Sequence, residues 1–426
     1  MKDSGIEWIG EIPEGWEIVP VRSCFDEVRT KNTDGQEQNA LQFKSGNIIS
    51  KTNFNASMDD YVADTITNYT VVLPDTVMIN GLNLNYDFKS LRVALVKEKG
   101  VITSAYLAIF PDRKKISPQY ATYLFKGYET KMAFHNMGAG IRKTLGYKEF
   151  KNQPLLLPSE KEQNKISAYL DSKCSHIDIM LSKIRSSIEE YKKLKQAVIT
   201  QAVTKGVRGE REMKDSGVEW IGEIPKEWVI QKIKSISSRI NVGVVIRPSE
   251  YFDENGTVPF LRGINVKEYL ISSDNMVYIN ESSNRILSKS QVHTDDILIV
   301  RDGSIGTSCV VPAEFDGANV VSMVIATPSI SCDSRFICYS LNSDVGKTQF
   351  TLTKIGSALT HTSVSAVSDI IVAVPSCAEQ KEIADYLDAK CVEIDGLIAK
   401  KEQLVKELES YKKSLIYEVV TGKREV

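Results

Sequence analysis

The chain has 426 residues, 42% hydrophobic and 25% charged, enough for several domains with ample core. Its formal net charge is −2; residues 1–212 carry 30 basic and 26 acidic side chains (net +4) and residues 213–426 carry 23 and 29 (net −6), so any nucleic-acid role must rest on local patches. Seven cysteines without a Cys-x-x-Cys pair, no apolar run of about 18 residues and no basic-then-apolar leader argue against a zinc framework, a membrane span and secretion, and favour a reduced, cytoplasmic setting.

The opening Met1-Lys-Asp-Ser-Gly-Ile-Glu-Trp-Ile-Gly-Glu-Ile-Pro13 returns at Met213–Pro225 with Val218 in place of Ile6. An internal repeat on this scale governs the whole fold. Each copy brings two tryptophans, Trp8 and Trp16, then Trp220 and Trp228. Their size suits anchors that dock each globule on a helix, with direct stacking on a ligand as the alternative. Residues 21–157 read as mixed α/β. Strand-like runs at Thr70–Leu73, Val77–Asn80, Leu91–Val96 and Ile102–Phe110 are separated by turn residues. A helix follows, with Ser117 as N-cap, Pro118 in its first position and Tyr120, Tyr123, Leu124 and Met132 at helical spacing. The second globule repeats this plan loosely. Asp296–Val300 answers Thr76–Asn80, Val320–Ala326 answers the strand ending near Phe110, and Ser334–Leu341 answers the helix from Pro118.

The two globules diverge most in polar loops. Asn80-Gly-Leu-Asn-Leu-Asn85 stands opposite Arg301-Asp-Gly-Ser-Ile-Gly306, and Gly138-Ala-Gly-Ile-Arg-Lys143 opposite Gly356-Ser-Ala-Leu-Thr-His361. One scaffold with two loop chemistries suggests two different ligands of one class.

Between and after the globules run two helical segments, 158–212 and 375–426. Each opens with proline and a Ser-x-x-Glu capping box, Ser159 with Glu162 and Ser376 with Glu379, followed by Gln163 or Gln380. Both continue through Tyr-Leu-Asp (169–171 and 386–388) to Cys174 and Cys391, which read as small buried hydrophobes. In the second segment Ile383, Leu387, Ile394, Leu397, Leu404, Leu408, Tyr411 and Leu415 form a 3-4 ladder, with Lys390 and Lys401 at the missing rungs. In the first, Ile166, Leu170, Ile177, Met180, Ile184, Ile188, Tyr191, Val198 and Ala202 break the ladder at Ile184 to Ile188. Aligning the Tyr-Lys-Lys triplets at Tyr191 and Tyr411 makes the first segment three residues shorter, which predicts a stutter there. The expected fold class is α+β: two globular α/β domains separated by two long helices that pair as an antiparallel coiled coil. The tail ends where a third Met-Lys-Asp-Ser-Gly would follow, so the order is cyclic and pseudo-twofold.

Catalytic signatures are missing. Gly346-Lys347-Thr348 lacks the P-loop glycine, because Leu341 stands there. The four histidines (135, 176, 293 and 361) have no metal-ligand spacing, and there is no Gly-x-Ser-x-Gly elbow or adenine-methyltransferase tetrapeptide. No catalytic or metal residue is expected; the pattern is that of a binding device.

With its doubled opening, its Pro-Ser-x-x-Glu-Gln helix starts and its Tyr-Leu-Asp-x-Lys-Cys-x-x-Ile-Asp runs, the whole chain resembles the specificity subunits of type I restriction–modification systems. The resemblance implies a non-enzymatic subunit with two target-recognition domains, 1–157 and 213–374, each reading one half of an asymmetric split site in double-stranded DNA. Segments 158–212 and 375–426 would be the spacer helices. The implied partners are two modification (methyltransferase) subunits docked on the helices, and restriction subunits with motor and nuclease activity. S-adenosylmethionine, ATP and Mg would be used by those partners, with no cofactor bound by this chain. Candidate base readers are Asn80, Asn83, Asn85, Arg142 and Lys143 in the first domain, and Arg262, Asn265, Arg301, Ser304 and His361 in the second. Asparagine can pair bidentately with adenine and arginine with guanine. Lys44, Lys89, Lys114, Lys115 and Lys354 are candidate phosphate contacts. The competing reading, a coiled-coil scaffold for proteins with no DNA role, explains the helices but not the divergence in polar loops.

Overall fold

The computed structural model describes residues 1–44, 46–51, 66–88, 91–140, 143–355 and 361–426, with backbone only at 353–355. Two compact units emerge, Met1–Arg185 with Glu402–Val426, and Ser186–Lys401. Each combines one globule with a stretch of both long helices, which run Glu160–Lys205 and Cys377–Val420.

In unit 1 the central sheet is antiparallel in the order Phe25–Glu27, Leu107–Pro111, Val77–Ile79, Val93–Leu95. Unit 2 repeats that order with Ser237–Val242, Met323–Pro328, Ile297–Val300 and Ser308–Val310. The innermost strands are apolar on both faces, and successive side chains enter different cores. Val77, Ile79 and Ile109 join the main core of unit 1, while Met78, Ala94 and Ala108 pack into a satellite core with Leu41 and Ile102. In unit 2, Ile297, Ile299 and Val324 face the main core and Leu298, Val300 and Ile325 the satellite.

Two local expectations change. The run Ile102–Phe110 is two strands, Gly100–Ile102 and Leu107–Pro111, because the chain turns at Thr103–Tyr106. The break lets the first piece pair with Thr70–Val72 while the second enters the central sheet. The helix capped by Ser117 ends at Thr130. Met132 lies beyond it in a left-handed conformation (φ 53°) and is 48% exposed.

The helix starts explain the repeated motif. Ser159 N donates to Glu162 Oε2 at 3.2 Å and Glu162 N to Ser159 Oγ at 3.4 Å, a complete capping box. The second box is half-made: Glu379 N reaches Ser376 Oγ at 3.4 Å, but the Glu379 carboxylate turns to Trp228 Nε1 (3.2 Å) and Arg211 Nη1 (2.6 Å). The glutamine is the tie to the globule. Gln163 accepts from Ser117 N at 2.8 Å and donates to Pro158 O at 3.0 Å. Gln380 accepts from Asp333 N at 2.9 Å and donates to Pro375 O at 3.0 Å. Each thereby fastens a long helix to the N-cap of the globule's own helix. Trp16 and Trp228 are buried at these junctions, whereas Trp220 is 39% exposed.

The first long helix has no stutter. Its inward positions are Gln163, Ser167, Leu170, Cys174, Ile177, Leu181, Ile184, Ile188, Tyr191, Lys195, Val198 and Ala202, all buried or half-buried and alternating steps of four and three. The irregularity arises from counting Met180, which is 44% exposed, in place of Leu181, which is 5% exposed. The second helix repeats every position at one offset, 380 − 163 = 217: Gln380, Ala384, Leu387, Cys391, Ile394, Ile398, Lys401, Val405, Leu408, Lys412, Leu415 and Val419. Tyr191 therefore corresponds to Leu408, and the Tyr-Lys-Lys triplets are not equivalent. Of the expected seam residues, Ile166, Leu170, Ile177, Ile188, Ile383, Leu387 and Ile394 are buried, and Ile184, Tyr191, Leu397 and Leu408 half-buried. Leu404 (43% exposed) and Tyr411 (48%) point outward. Lysines take inward rungs instead, burying aliphatic stems while the ammonium groups reach out. Lys401 Nζ lies 5.4 Å from the Tyr191 ring centroid, and Lys412 Nζ reaches Asp178 Oδ1 at 2.6 Å.

Within each unit the helices run antiparallel. Unit 1 pairs Asp178 with Lys412 and Arg185 with Glu409. Unit 2 pairs Lys195 with Asp395 (2.6 Å) and Arg208 with Glu382 (2.7 Å).

Candidate nucleic-acid interface

In unit 1 the loop after strand Val77–Ile79 meets the segment ending at Leu145. Leu84 N donates to Lys143 O at 3.1 Å and Leu145 N to Gly81 O at 2.9 Å. This brings Asn80, Asn83, Asn85 and Lys143 together at one end of the sheet. Asn80 is half-buried and its Oδ1 accepts from Leu82 N at 3.2 Å. Asn83 (φ 53°) and Lys143 (φ 39°) are exposed in left-handed turns, and Asn85 is half-buried. Lys44 is exposed on the hairpin Leu41–Ser50, whose Gly46 lies against Leu91. Lys114 is exposed, and Lys115 is held by Ser23 O (3.0 Å) and Asp112 (3.2 Å). Arg142 and Lys89 lie outside the described residues.

Two features of this surface escaped the sequence. Arg92 is 1% exposed beneath the loop. Tyr86 (72% exposed) and Phe88 (57% exposed) stand outward from it, with Phe88 stacked on His135 at 5.1 Å and 11°. Arginine in a strand run reads as an outward residue, so no pattern announced its burial.

Unit 2 builds its surface from other parts. Arg301 Nε donates to Thr362 O at 2.9 Å and Thr362 N to Arg301 O at 3.1 Å, while Asp302 bridges to His361. Gly263 lies against Val300, so Arg262 joins Arg301, the exposed Ser304 and His361 at one end of the sheet. Asn265 is different: it is fully buried, its Oδ1 accepts from Arg262 N (3.1 Å), and its Nδ2 donates to Ser272 O (3.1 Å) and Asp274 O (2.9 Å). Its amide is spent on shaping the loop, which takes it out of the reading surface. Lys354 lies in the helix Asp344–Ile355, and its side chain is outside the described residues. A further loop is recruited by Ser322, whose N donates to Val244 O (3.0 Å) and whose Oγ reaches Asp302 Oδ2 (3.3 Å). It presents Ile246, 80% exposed, beside Arg247 (φ 45°). Among the described residues no three His, Cys, Asp or Glu gather as a cation site, and no helix is long and apolar enough to cross a membrane.

Residues 225–408 match the family model of the type I restriction modification DNA specificity domain. The chain is 25% identical to the putative type I restriction enzyme MjaX specificity subunit of Methanocaldococcus jannaschii, over 97% of this chain and 95% of that protein. It is 24% identical to the type I restriction enzyme MjaVIII specificity subunit of the same organism, over 97% and 93%. Its fold matches a chain of a type I R-M system solved for complex assembly and conformational transition, with a TM-score of 0.71 at 14% identity, over 97% of this chain and 100% of that one. It also matches the HsdS subunit from Thermoanaerobacter tengcongensis, with a TM-score of 0.51 at 14% identity, over 100% of both. Doubled α/β globules with unlike polar loops, each packed on a stretch of two long helices, give the chain the fold of those solved structures. Residues 225–408 thus carry the type I restriction modification DNA specificity domain, and the chain as a whole is similar to type I specificity subunits.

Proposed function

We propose that each unit reads one half of an asymmetric, bipartite site in double-stranded DNA. Unit 1 would read through residues 80–88 and 143–145, and unit 2 through 244–247, 262–264, 301–306 and 361–362. One observation carries the reading. The two units share a frame, down to equivalent hydrogen bonds at the helix starts, yet present unlike side chains at the same end of the same sheet. Asn83 and Lys143 against Arg262, Arg301 and His361 is a difference of base-edge chemistry, while Lys44 suits a phosphate. The long helices would set the unread gap and dock two modification subunits, which use S-adenosylmethionine. Restriction subunits would supply the ATP- and Mg-dependent steps. The chain itself would carry no catalysis and would act in the cytoplasm.

Exchanging residues 213–374 for another recognition domain tests this in cells carrying the modification subunits. Base-resolution methylation mapping is expected to show one half-site changed and the other intact. A change in both, or in neither, would overturn the modular reading.

A further inference from the structure

We propose that Arg92 is a positioning residue for specificity in unit 1. From inside the protein, its guanidinium holds the reading loop in one shape. The proposal rests on the reading of unit 1 as a half-site reader.

The geometry is that of a clamp. Arg92 Nη1 donates to Asn80 O at 2.9 Å and to Leu82 O at 2.9 Å, and Nη2 donates to Asp87 O at 2.5 Å. The Asp87 carboxylate adds an ion pair at 3.7 Å. Both ends of the loop are thus pinned by one rigid, planar group. Arg92's own N donates to Glu129 Oε1 at 2.5 Å, which fixes the clamp to the helix Pro118–Thr130. Three carbonyls aimed at one buried cation make a specific arrangement. Guanidinium supplies several donors in a fixed fork and stays charged when buried; an ammonium is a point charge that cannot span the same acceptors.

What the clamp holds outward matters. Between the pinned carbonyls, Leu84 is fully buried while Asn83 and Tyr86 are exposed, and Phe88 follows directly after Asp87. Two large aromatic rings on a short loop would lower their free energy by folding back onto apolar surface. Anchors at Asn80, Leu82, Leu84 and Asp87 oppose that collapse. His135 Nε2, 3.1 Å from Asp87 O, and its stack on Phe88 complete the brace. A base-reading group tolerates little displacement, so the loop's shape sets which bases it accepts.

The test uses the full chain assembled with its modification subunits. Arg92→Lys and Arg92→Met are compared with Val101→Ala, a core truncation away from the loop. Methylation mapping reports each half-site, so the half read by unit 2 is an internal control. Expected for either Arg92 variant is a loss of about tenfold or more in discrimination at the unit 1 half-site. Hydrogen exchange at residues 82–88 is expected to accelerate, with the other half-site unchanged. Val101→Ala should lower stability without relaxing either half. Should Arg92→Met fail to fold, Arg92→Lys keeps the charge and decides the matter by exchange and stringency together. Unchanged stringency in a folded variant overturns the clamp, as does equal relaxation of both halves or of Val101→Ala. If exchanging residues 1–157 leaves the half-site unaltered, the half-site reading has failed instead.

Discussion

The two units keep one frame and stabilise their loops by opposite means. In the frame, Tyr123 Oη donates to Asp171 Oδ1 at 2.7 Å, and Tyr339 Oη donates to Asp388 Oδ1 at 2.7 Å. Gln119 and Arg335 supplement the two pairs from matching helix positions. Behind the loops the likeness ends. Unit 1 buries the cation Arg92 against the carbonyls of Asn80, Leu82 and Asp87, whereas unit 2 buries neutral amides there. Asn342 accepts from Ser308 N (3.0 Å) and donates to Ser308 O (2.8 Å), and Asn265 holds its own turn. The frame is tied to the long helices and so follows their repeat. The loops are held by whatever buried polar group each globule acquired, a guanidinium in unit 1 and side-chain amides in unit 2.

The largest expected effect tests the frame. Leu181→Ala removes a buried seam residue and should cost about 2–5 kcal/mol in chemical denaturation followed by hydrogen exchange of unit 1. Met180→Ala, one residue away on the exposed face, should cost under about 0.5 kcal/mol. Equal costs would restore the stutter and break the one-offset correspondence between the helices.

Acidity should separate the units next. Burial raises the Glu129 carboxyl from its ordinary 4.5 to about 7, against the opposing pull of the Arg92 N–H and of the Arg92, Lys126 and Lys413 charges. Between those two values the folded state holds a proton that the unfolded chain has released. Stability therefore falls as pH rises through this window, and the loss is complete above about 7. The expected decline between about pH 5 and 8 is roughly 1–3 kcal/mol, confined to unit 1. Glu129→Gln should flatten it. A slope surviving in that variant would assign it to another group.

The frame was legible in the sequence because repetition at fixed spacing is hard to produce otherwise. The first capping box, the serine half of the second, Gln163 with Gln380, and Cys174 with Cys391 lie where the motif predicts. The seam departs from its expected course at Met180 and Tyr411 because apolar character is a weaker guide than position. Methionine and leucine are equivalent in an apolar ladder, and a lysine at an inward rung reads as an interruption although its stem packs. The candidate loops were legible as places but not in detail. Asn265 and Arg92 show why: Asn265 has the chemistry of a base reader and is buried scaffold, while Arg92 has the pattern of an outward strand residue and is the buried clamp. Such roles depend on which carbonyls converge in space, and residues distant along the chain decide that.

The finest comparison lies in one pair of equivalent ion pairs. Lys195 Nζ meets Asp395 Oδ2 at 2.6 Å and Lys412 Nζ meets Asp178 Oδ1 at 2.6 Å, at seam positions separated by the same offset. Both aspartates are exposed, so each pair alone should contribute less than about 1 kcal/mol. Their surroundings differ. Lys195 lies 5.6 Å from the centroid of the Tyr269 ring, which attracts a cation. Lys412 instead faces Lys126, whose ammonium is destabilised first by burial and then by Lys412 itself. Lys195→Met removes an ion pair and a cation–π contact; Lys412→Met removes an ion pair but relieves a repulsion. Lys195→Met should therefore cost more, by roughly 0.5–1 kcal/mol. Added salt should shrink the ion-pair contributions in both units while leaving the ring contribution of Lys195 largely in place. Equal costs at every salt concentration would mean that the two seams are interchangeable in energy as well as in position.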